Sequence, residues 1–224
     1  MKHLSSLVLS LFPILLSTSL IQGQDLSKYR DLAYGMTLVE VSKQVNLQPI
    51  QAKVIYKRPA AIQELTWWPK DSSDNSLQAD SVRQIFFGFY NDELYRILVT
   101  YDRHATQGLT AEDMIGAISA QFGTATRPAA EISFSTNELY RSTEKVIARW
   151  EDSQYSINLV RCKLLSSFGL VMFSKRLDAQ AEAAIAESLK MDEQKIPQRE
   201  ADRRKKAADD LEVTRQKNRK TFRP

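Results

Sequence analysis

The residues best suited to acid–base or nucleophilic chemistry are few in this chain and stand apart from one another. The histidines are His3 and His104, and the single cysteine is Cys162. Asp102-Arg103-His104 is the nearest approach to an acid–base pair. Adjacent residues on a strand point to opposite faces, however, and a general base must lie within hydrogen-bonding reach of its proton. The chain also has no Gly-x-Ser-x-Gly turn to expose a serine nucleophile. We therefore predict no catalytic residue.

Metal and cofactor sites are not predicted either. Zinc sites are built mainly from cysteine and histidine, and one cysteine excludes an intramolecular disulfide. The sequence has no glycine-rich phosphate-binding loop. The acidic pair Glu112-Asp113 follows a predicted helix start, where negative charge is favoured, and Cys162 lies in a strand-like run as a small hydrophobic residue. The sequence thus favours a non-catalytic protein. The alternative is an enzyme of unrecognised type that uses carboxylates on its long loops.

Two stretches of similar sequence, GMTLVEV and GLTAEDM, begin the elements that must position any site. In each stretch a glycine permits a sharp turn, and a threonine and an acidic residue three positions later can form a capping box. Thr37 is paired with Glu40 in this way, and Thr110 with Asp113. Apolar residues then follow at helical spacing. The two stretches begin 108 − 35 = 73 residues apart, which indicates two tandem units.

Each predicted helix is followed by three strand-like runs. The first set is AIQELTWWP, SVRQIFFGFY and ELYRILVTYD, and the second set is EKVIARWED, QYSINLVRC and FGLVMFSKRL. The turn-prone pairs Asn91-Asp92 and Asp152-Ser153 predict one hairpin in each set. We therefore predict an α+β fold with two tandem repeats, each a helix plus a three-stranded antiparallel sheet, at residues 24–107 and 108–177.

Three segments between these elements lack a clear strand pattern. We predict a short helix at residues 49–57 and a polar loop at residues 70–80. Residues 124–143 are predicted to form a long connection that holds at most a short helix.

The N-terminal residues 1–23 have the layout of a secretory signal peptide. A short basic region is followed by an apolar stretch, residues 4–20, which contains Pro13 and ends shortly before the small residue Gly23. The proline and the many serines argue against an uncleaved membrane anchor. We expect cleavage near Gly23 and a periplasmic or secreted protein. Because no cysteine lies near the cut, we do not expect a diacylated lipoprotein.

The C-terminal part of the chain divides into a docked helix and a charged tail. Residues 178–196 are predicted to form a helix whose docking stripe is Leu177, Ala181, Ile185 and Leu189. Pro197 is expected to end or kink this helix. Residues 197–224 contain hardly any apolar side chains, so they are predicted to form either an exposed charged helix or a disordered tail.

The tail is also the most basic part of the chain. Its basic clusters, 203–206 and 215–220, are interspersed with acidic residues. A weak contact with an anionic surface is one interpretation, and a solvated extension is the other. We do not expect a nucleic-acid partner for an exported protein.

Both faces of the first predicted hairpin are apolar. Alternation places Phe86, Gly88 and Tyr90 on one face. Across from them we expect Tyr95, Ile97, Val99 and Tyr101, and on the other face Ile85, Phe87, Phe89, Leu94, Arg96 and Leu98. A sheet covered on one side shows cleaner alternation, so either helices cover both faces or one face binds a partner.

Two adjacent tryptophans precede this hairpin. Trp67 and Trp68 should point to opposite faces of a strand, with Trp68 the more exposed because it shares its face with Glu64 and Thr66. Tryptophan is frequent at binding hot spots, although packing over a sheet edge is the alternative. The candidate partner-binding residues are Trp68, Phe86, Tyr90 and Tyr95.

The repeated Gly-[Met/Leu]-Thr helix start before an antiparallel sheet resembles the SmpA/OmlA (BamE-like) small outer-membrane proteins and the tandem fold of β-lactamase inhibitor protein. The chain also resembles uncharacterised exported bacterial proteins. The resemblance implies an exported binding or assembly module of the cell envelope without catalysis, with a protein or another envelope component as its partner. It is carried, within residues 30–175, by Gly35, Thr37, Glu40, Val41, Gly108, Thr110, Asp113 and Met114.

Overall fold

The computed structural model describes residues 25–69, 81–137, 140–162 and 167–223. Within these residues the protein is an α+β structure, as predicted, with a large antiparallel sheet. The predicted signal peptide and the polar loop at 70–80 lie outside the described residues. The α-helices are α1 (Leu38–Gln44), α2 (Ala111–Phe122) and α3 (Lys175–Thr221).

The sheet has eight strands in the order β3-β4-β5-β6-β10-β9-β8-β7. A separate two-stranded hairpin, β1 (Lys28–Tyr29) and β2 (Leu32–Ala33), precedes α1. The strands of the large sheet are β3 (Lys53–Tyr56), β4 (Ile62–Trp67), β5 (Val82–Tyr90), β6 (Glu93–Tyr101), β7 (Glu131–Asn137), β8 (Tyr140–Glu151), β9 (Tyr155–Cys162) and β10 (Ser167–Ser174).

The pairing of β6 with β10 joins the two halves of the chain. The two strands are antiparallel, with Val99 opposite Leu170, so the predicted pair of three-stranded sheets is instead one continuous sheet. Each half contributes four strands instead of the predicted three. The additional strands are β3 and β7. In the first half, the helix expected at residues 49–57 is one 3₁₀ turn, Pro49–Gln51, followed by β3 with its β-branched pair Val54 and Ile55.

Strand β7 occupies part of the segment expected to be a connection. Its Ile132 and Phe134 alternate with serines, which is a strand pattern that the sequence interpretation passed over. A register shift between Val146 and Ala148 interrupts the pairing of β8 with β9, and such irregularities bend a strand. Phe134 is buried among residues of β5, β6, β9 and β10, so β7 lies over one face of the central strands.

Both predicted helix starts are confirmed by capping boxes. Thr37 Oγ1 accepts a hydrogen bond from the Glu40 amide at 3.3 Å, and the Thr37 amide donates to Glu40 Oε2 at 2.8 Å. In α2 the corresponding Thr110 and Asp113 distances are 3.1 and 2.8 Å. The glycine two positions before each threonine has a positive φ, which is 87° at Gly35 and 84° at Gly108. Both entry turns therefore require the conformational freedom of glycine.

Helices cover both faces of the sheet. Helices α1 and α2 pack on one face, here called the α1/α2 face, with the buried side chains Phe87, Ile97 and Leu170. There Trp150 is also buried, and its Nε1 donates to the Gly123 carbonyl at 2.8 Å. The opposite face, here called the α3 face, is covered by α3 and β7. Of the two sequence interpretations, the hairpin with internally covered faces is therefore the one observed.

Helix α3 is longer than predicted and turns a different side to the sheet. It continues through Pro197 without ending, so the tail is an exposed helix rather than a disordered segment. The predicted docking stripe advanced in steps of four residues, and each step of about 400° leaves the next side chain about 40° further round. As a result Ile185 is half-buried and Leu189 is 47% exposed, so the prediction that Leu189 docks was wrong. The buried residues are Leu177, Ala181, Ala184 and Ser188.

Loss of one helix cap should destabilise the protein measurably. Thr110→Ala removes the side-chain acceptor for the Asp113 amide and should cost about 1 kcal/mol of unfolding free energy, as N-cap threonines usually do. The matched control is Thr214→Ala on the exposed part of α3, which should not lower stability. Urea unfolding of both variants measures the difference, and equal midpoints for Thr110→Ala and the parent chain would contradict the capping role.

Candidate binding site

The structure places three of the four predicted partner-binding residues on the α3 face, and two of these line one cavity. Phe86 and Tyr95 are buried and line the same cavity. Tyr90 is half-buried and packs on the cluster that contains Tyr95. Trp68 follows β4, is 59% exposed as the alternation predicts, and is not among the cavity residues.

The predicted facing of β5 and β6 was wrong for most residues of β6. Phe86 is opposite Leu98, and Gly88 is opposite Arg96, so these four residues share the α3 face. Ile97, Val99 and Tyr101, which were expected on that face, belong to the core of the α1/α2 face. The sequence prediction assumed an unbroken alternation with a different register.

Tyr95 lies on the predicted face because of a β-bulge. The pairing passes from Gly88–Arg96 to Phe89–Leu94, which leaves Tyr95 as the extra residue. A Cβ on Gly88 would lie 3.0 Å from Tyr95 Cε1, so the phenol ring occupies the space that a side chain at Gly88 would need. Burial raises the pKa of the Tyr95 hydroxyl to about 12.

A cavity of 160 Å³ lies between the sheet and α3. Aromatic side chains from four strands line it, namely Tyr56, Phe86, Tyr95 and Phe134. The aliphatic walls come from Ile55, Ile62, Leu98 and, on α3, Ile185. The charged groups at its wall are Glu64, Arg96 and Glu182.

Arg96 carries a largely buried positive charge at the wall of this cavity, with 14% of its side chain exposed. Its Nε donates to Asp178 Oδ1 at 2.8 Å, and its Nη2 donates to Glu182 Oε1 at 3.1 Å. Both carboxylates lie on the first turns of α3, and Nη1 also reaches the Ser133 carbonyl of β7 at 3.5 Å. Burial is the largest single influence on the pKa of Arg96 and acts to lower it, but the charges of Asp178, Tyr95 and Glu182 and the hydrogen bond to Asp178 together outweigh it, so the pKa is raised. The guanidinium therefore stays charged and holds α3 against the sheet.

The sequence analysis did not identify this ion cluster. An arginine within the apolar run of β6 was one available signal, because a buried charge requires a partner. The spacing of Asp178 and Glu182 was another, since residues four apart share one side of a helix. Local sequence does not link the two signals, because Arg96 is 82 residues from Asp178 and 86 residues from Glu182.

The residues considered for acid–base chemistry have structural roles. Asp102 Oδ1 accepts hydrogen bonds from the amides of His104 and Ala105 at 2.8 and 3.0 Å, and these bonds lower the pKa of Asp102. His104 is exposed in the same turn. Glu112 pairs with Arg127 at 2.8 Å. The side chain of Cys162 lies outside the described residues.

The described residues contain no group of three or more His, Cys, Asp or Glu side chains placed to hold a metal ion. No helix within residues 25–223 that the structure describes is long and apolar enough to cross a membrane.

Comparison of the chain with protein-family models, with curated proteins and with solved structures finds no match. The resemblance to the SmpA/OmlA (BamE-like) proteins is neither supported nor contradicted by these comparisons, so it stays a prediction. What the geometry defines is a small, largely apolar cavity whose walls are held together by an ion cluster.

The buried hydroxyl of Tyr95 should make stability depend on alkaline pH. In the unfolded chain a tyrosine ionises near pH 10, whereas folded Tyr95 keeps its proton to about pH 12. Its contribution is present below pH 10 and is lost as the pH rises through 12, because the unfolded state then gains by ionising. Tyr95→Phe cannot ionise and should lose less stability over this range.

Urea unfolding at several alkaline pH values measures this difference. Each protein is referred to its own stability at neutral pH, which removes any direct cost of the substitution. Tyr34, whose pKa burial also raises, is present in both proteins and contributes equally. The same loss of stability in Tyr95→Phe and in the parent chain would contradict the burial of this hydroxyl.

Proposed function

We propose that the protein is an exported, non-catalytic binding or assembly module of the cell envelope, and that it binds its partner in the cavity between the sheet and α3. The observation that carries the proposal is the cavity with its four aromatic walls. Binding pockets are concave and mostly apolar, with a few placed polar groups, and this cavity has that character.

The size of the cavity limits what it can hold. A volume of 160 Å³ is close to that of a cavity known to accept one benzene ring, so a single aromatic or branched side chain, or a short alkyl chain, would fit. Ile55, Tyr56 and Ile185 are half-buried, which puts the mouth of the cavity between β3 and α3. An apolar group could enter there while the rest of a larger partner stays outside.

The polar groups at the wall favour recognition over catalysis. Arg96 and Glu182 bind each other, and Arg96 also binds Asp178, so their hydrogen-bonding capacity is used in holding α3. An enzyme would need a base or nucleophile aimed at a bound substrate. Asp102 is engaged in a turn and Glu112 in a surface ion pair, which supports a binding module over the alternative of an enzyme that uses loop carboxylates.

We further propose that the two halves of the chain are tandem repeats. Each half places a capped helix before four antiparallel strands. In both halves the last strand lies at the centre of the sheet and the first strand lies at its edge, so the order outward is β6, β5, β4, β3 on one side and β10, β9, β8, β7 on the other. This order supports the repeat that the Gly-x-Thr stretches predict. It is also the feature that best agrees with the resemblance to the tandem fold of β-lactamase inhibitor protein.

Export is supported by the pattern of residues 1–23, and the basic region, apolar stretch and small residue at Gly23 are its elements. The partner would then be a protein or another component of the envelope. The intact mass of protein isolated from its host distinguishes a chain that begins near Gln24 from the full-length chain.

A substitution that fills the cavity should abolish binding without unfolding the protein. Ile185→Trp places a larger ring at the mouth, so an apolar group can no longer enter. Leu189→Trp is the matched control, because Leu189 is one turn further along α3 and is exposed. The affinity of each protein for N-phenyl-1-naphthylamine is measured, because the phenyl ring of this neutral dye can enter the cavity while its naphthyl group stays at the apolar mouth and fluoresces there. Capture of components from an envelope extract is measured in parallel.

The expected result is dye binding and capture of the same component by the parent chain and by Leu189→Trp, and loss of both with Ile185→Trp. Circular dichroism checks that both variants fold. If Ile185→Trp binds the dye and the component as well as the parent chain does, the cavity is not the binding site.

A further inference from the structure

The outer part of α3 extends away from the rest of the protein. Every residue from Asp192 to Arg223 is exposed. At about 1.5 Å per residue, the helical part of this segment is about 45 Å long, which is longer than a small domain is wide. A helical segment that buries no face gains no stability from the core, so packing within the protein does not explain its length.

Charge is distributed unevenly along this projecting segment. The shaft, residues 192–212, carries six basic and seven acidic residues, a net charge of 6 − 7 = −1. The tip, residues 213–223, carries five basic residues and no acidic residue, a net charge of +5. The formal charge of the whole chain is only +4, so the tip holds more positive charge than the protein as a whole.

Ion pairing within the helix leaves most of the tip charge available. Arg215 pairs with Glu212 of the shaft at 2.9 Å. The remaining basic residues of the tip are Lys217, Arg219, Lys220 and Arg223. Basic residues in the last turn of a helix are favoured by its dipole, which accounts for Arg219 and Lys220 but not for the whole cluster.

An exposed aromatic ring accompanies the basic residues. Phe222 ends α3, its amide donates to the Asn218 carbonyl at 2.8 Å, and its side chain is 74% exposed. Leu211, 70% exposed, lies eleven residues earlier on the same side of the helix. The helix dipole gives no reason for either apolar side chain to be there.

We propose that the tip of α3 binds an anionic lipid surface, with Phe222 inserted among the lipid head groups and the basic residues around it in contact with their phosphates. Basic residues beside an exposed aromatic ring are the combination that holds helices at membrane interfaces. A purely ionic polymer would attract the charges but would not favour an exposed phenylalanine. A second copy of the tip would repel the first. This contact is independent of the cavity and leaves it free for the partner.

The test measures the apparent Kd of the full chain for vesicles of phosphatidylcholine alone and of equal parts phosphatidylcholine and phosphatidylglycerol. Binding to the neutral vesicles measures any contribution of the apolar residues 1–23, and this contribution is subtracted. We expect binding to the anionic vesicles that weakens as salt is added, because screening shortens the range of charge attraction to about 10 Å at about 0.1 M. Heparin, a polyanion without acyl chains, should bind more weakly.

Two pairs of matched variants locate the contact. Replacing Arg219, Lys220 and Arg223 by Gln should raise the Kd about tenfold or more, whereas replacing Arg203, Lys205 and Lys206 of the shaft by Gln removes the same charge and should change it little. Phe222→Ala should raise the Kd severalfold, and Val213→Ala, which lies on the opposite side of the helix and is 68% exposed, should not.

Three results would overturn the proposal. The first is no preference for the anionic vesicles. The second is an equal loss of binding for the tip and shaft variants, which would mean attraction by net charge alone. The third is binding to heparin as tight as binding to vesicles, together with no effect of Phe222→Ala.

Discussion

The buried charge of Arg96 is the constraint on which the α3 side of the molecule depends. It sits in β6, a central strand of the sheet, with only 14% of its side chain exposed, so an unpaired guanidinium there would be costly. The carboxylates of Asp178 and Glu182 remove that cost, and both belong to the beginning of α3. The position of the helix is therefore set by an ionic requirement of the sheet as well as by apolar packing of Leu177 and Ala181.

The ion pairs between Arg96 and the start of α3 also determine where the cavity and the projecting segment of α3 lie. Helix α3 follows β10 directly at Lys175, whose Nζ binds Glu151 at 2.8 Å. From there it crosses β6 and β5 and approaches β3, where Tyr56 lies beside Ser188 and Met191. The cavity is the space left between this crossing helix and the bulged hairpin at Gly88 and Tyr95. Beyond β3 the helix has nothing to cover, so its remaining turns extend into solvent and present the basic tip.

Local features of the fold could be predicted from the sequence, whereas features that depend on distant residues could not. The capping boxes at Thr37 and Thr110 were predictable because every group in them lies within four residues. The bulge at Tyr95 was not, because it is a property of the pairing with Gly88 rather than of β6 itself. Of the candidate site, Phe86 and Tyr95 were found by their aromatic character, and Arg96 was missed because its partners are on another element.

A double-mutant cycle on Arg96 and Asp178 tests the role of the ion cluster most directly. The free energy of urea unfolding is measured for the parent chain, Arg96→Met, Asp178→Leu and the double variant. Arg96→Met leaves the carboxylates of Asp178 and Glu182 without their partner and should cost about 3–5 kcal/mol. Asp178→Leu leaves Arg96 paired with Glu182 alone and should cost about 1–3 kcal/mol. The double variant should cost less than the sum of the two by about 1 kcal/mol or more. Single changes of less than about 1 kcal/mol that add without coupling would show that the charge of Arg96 does not hold α3 on the sheet.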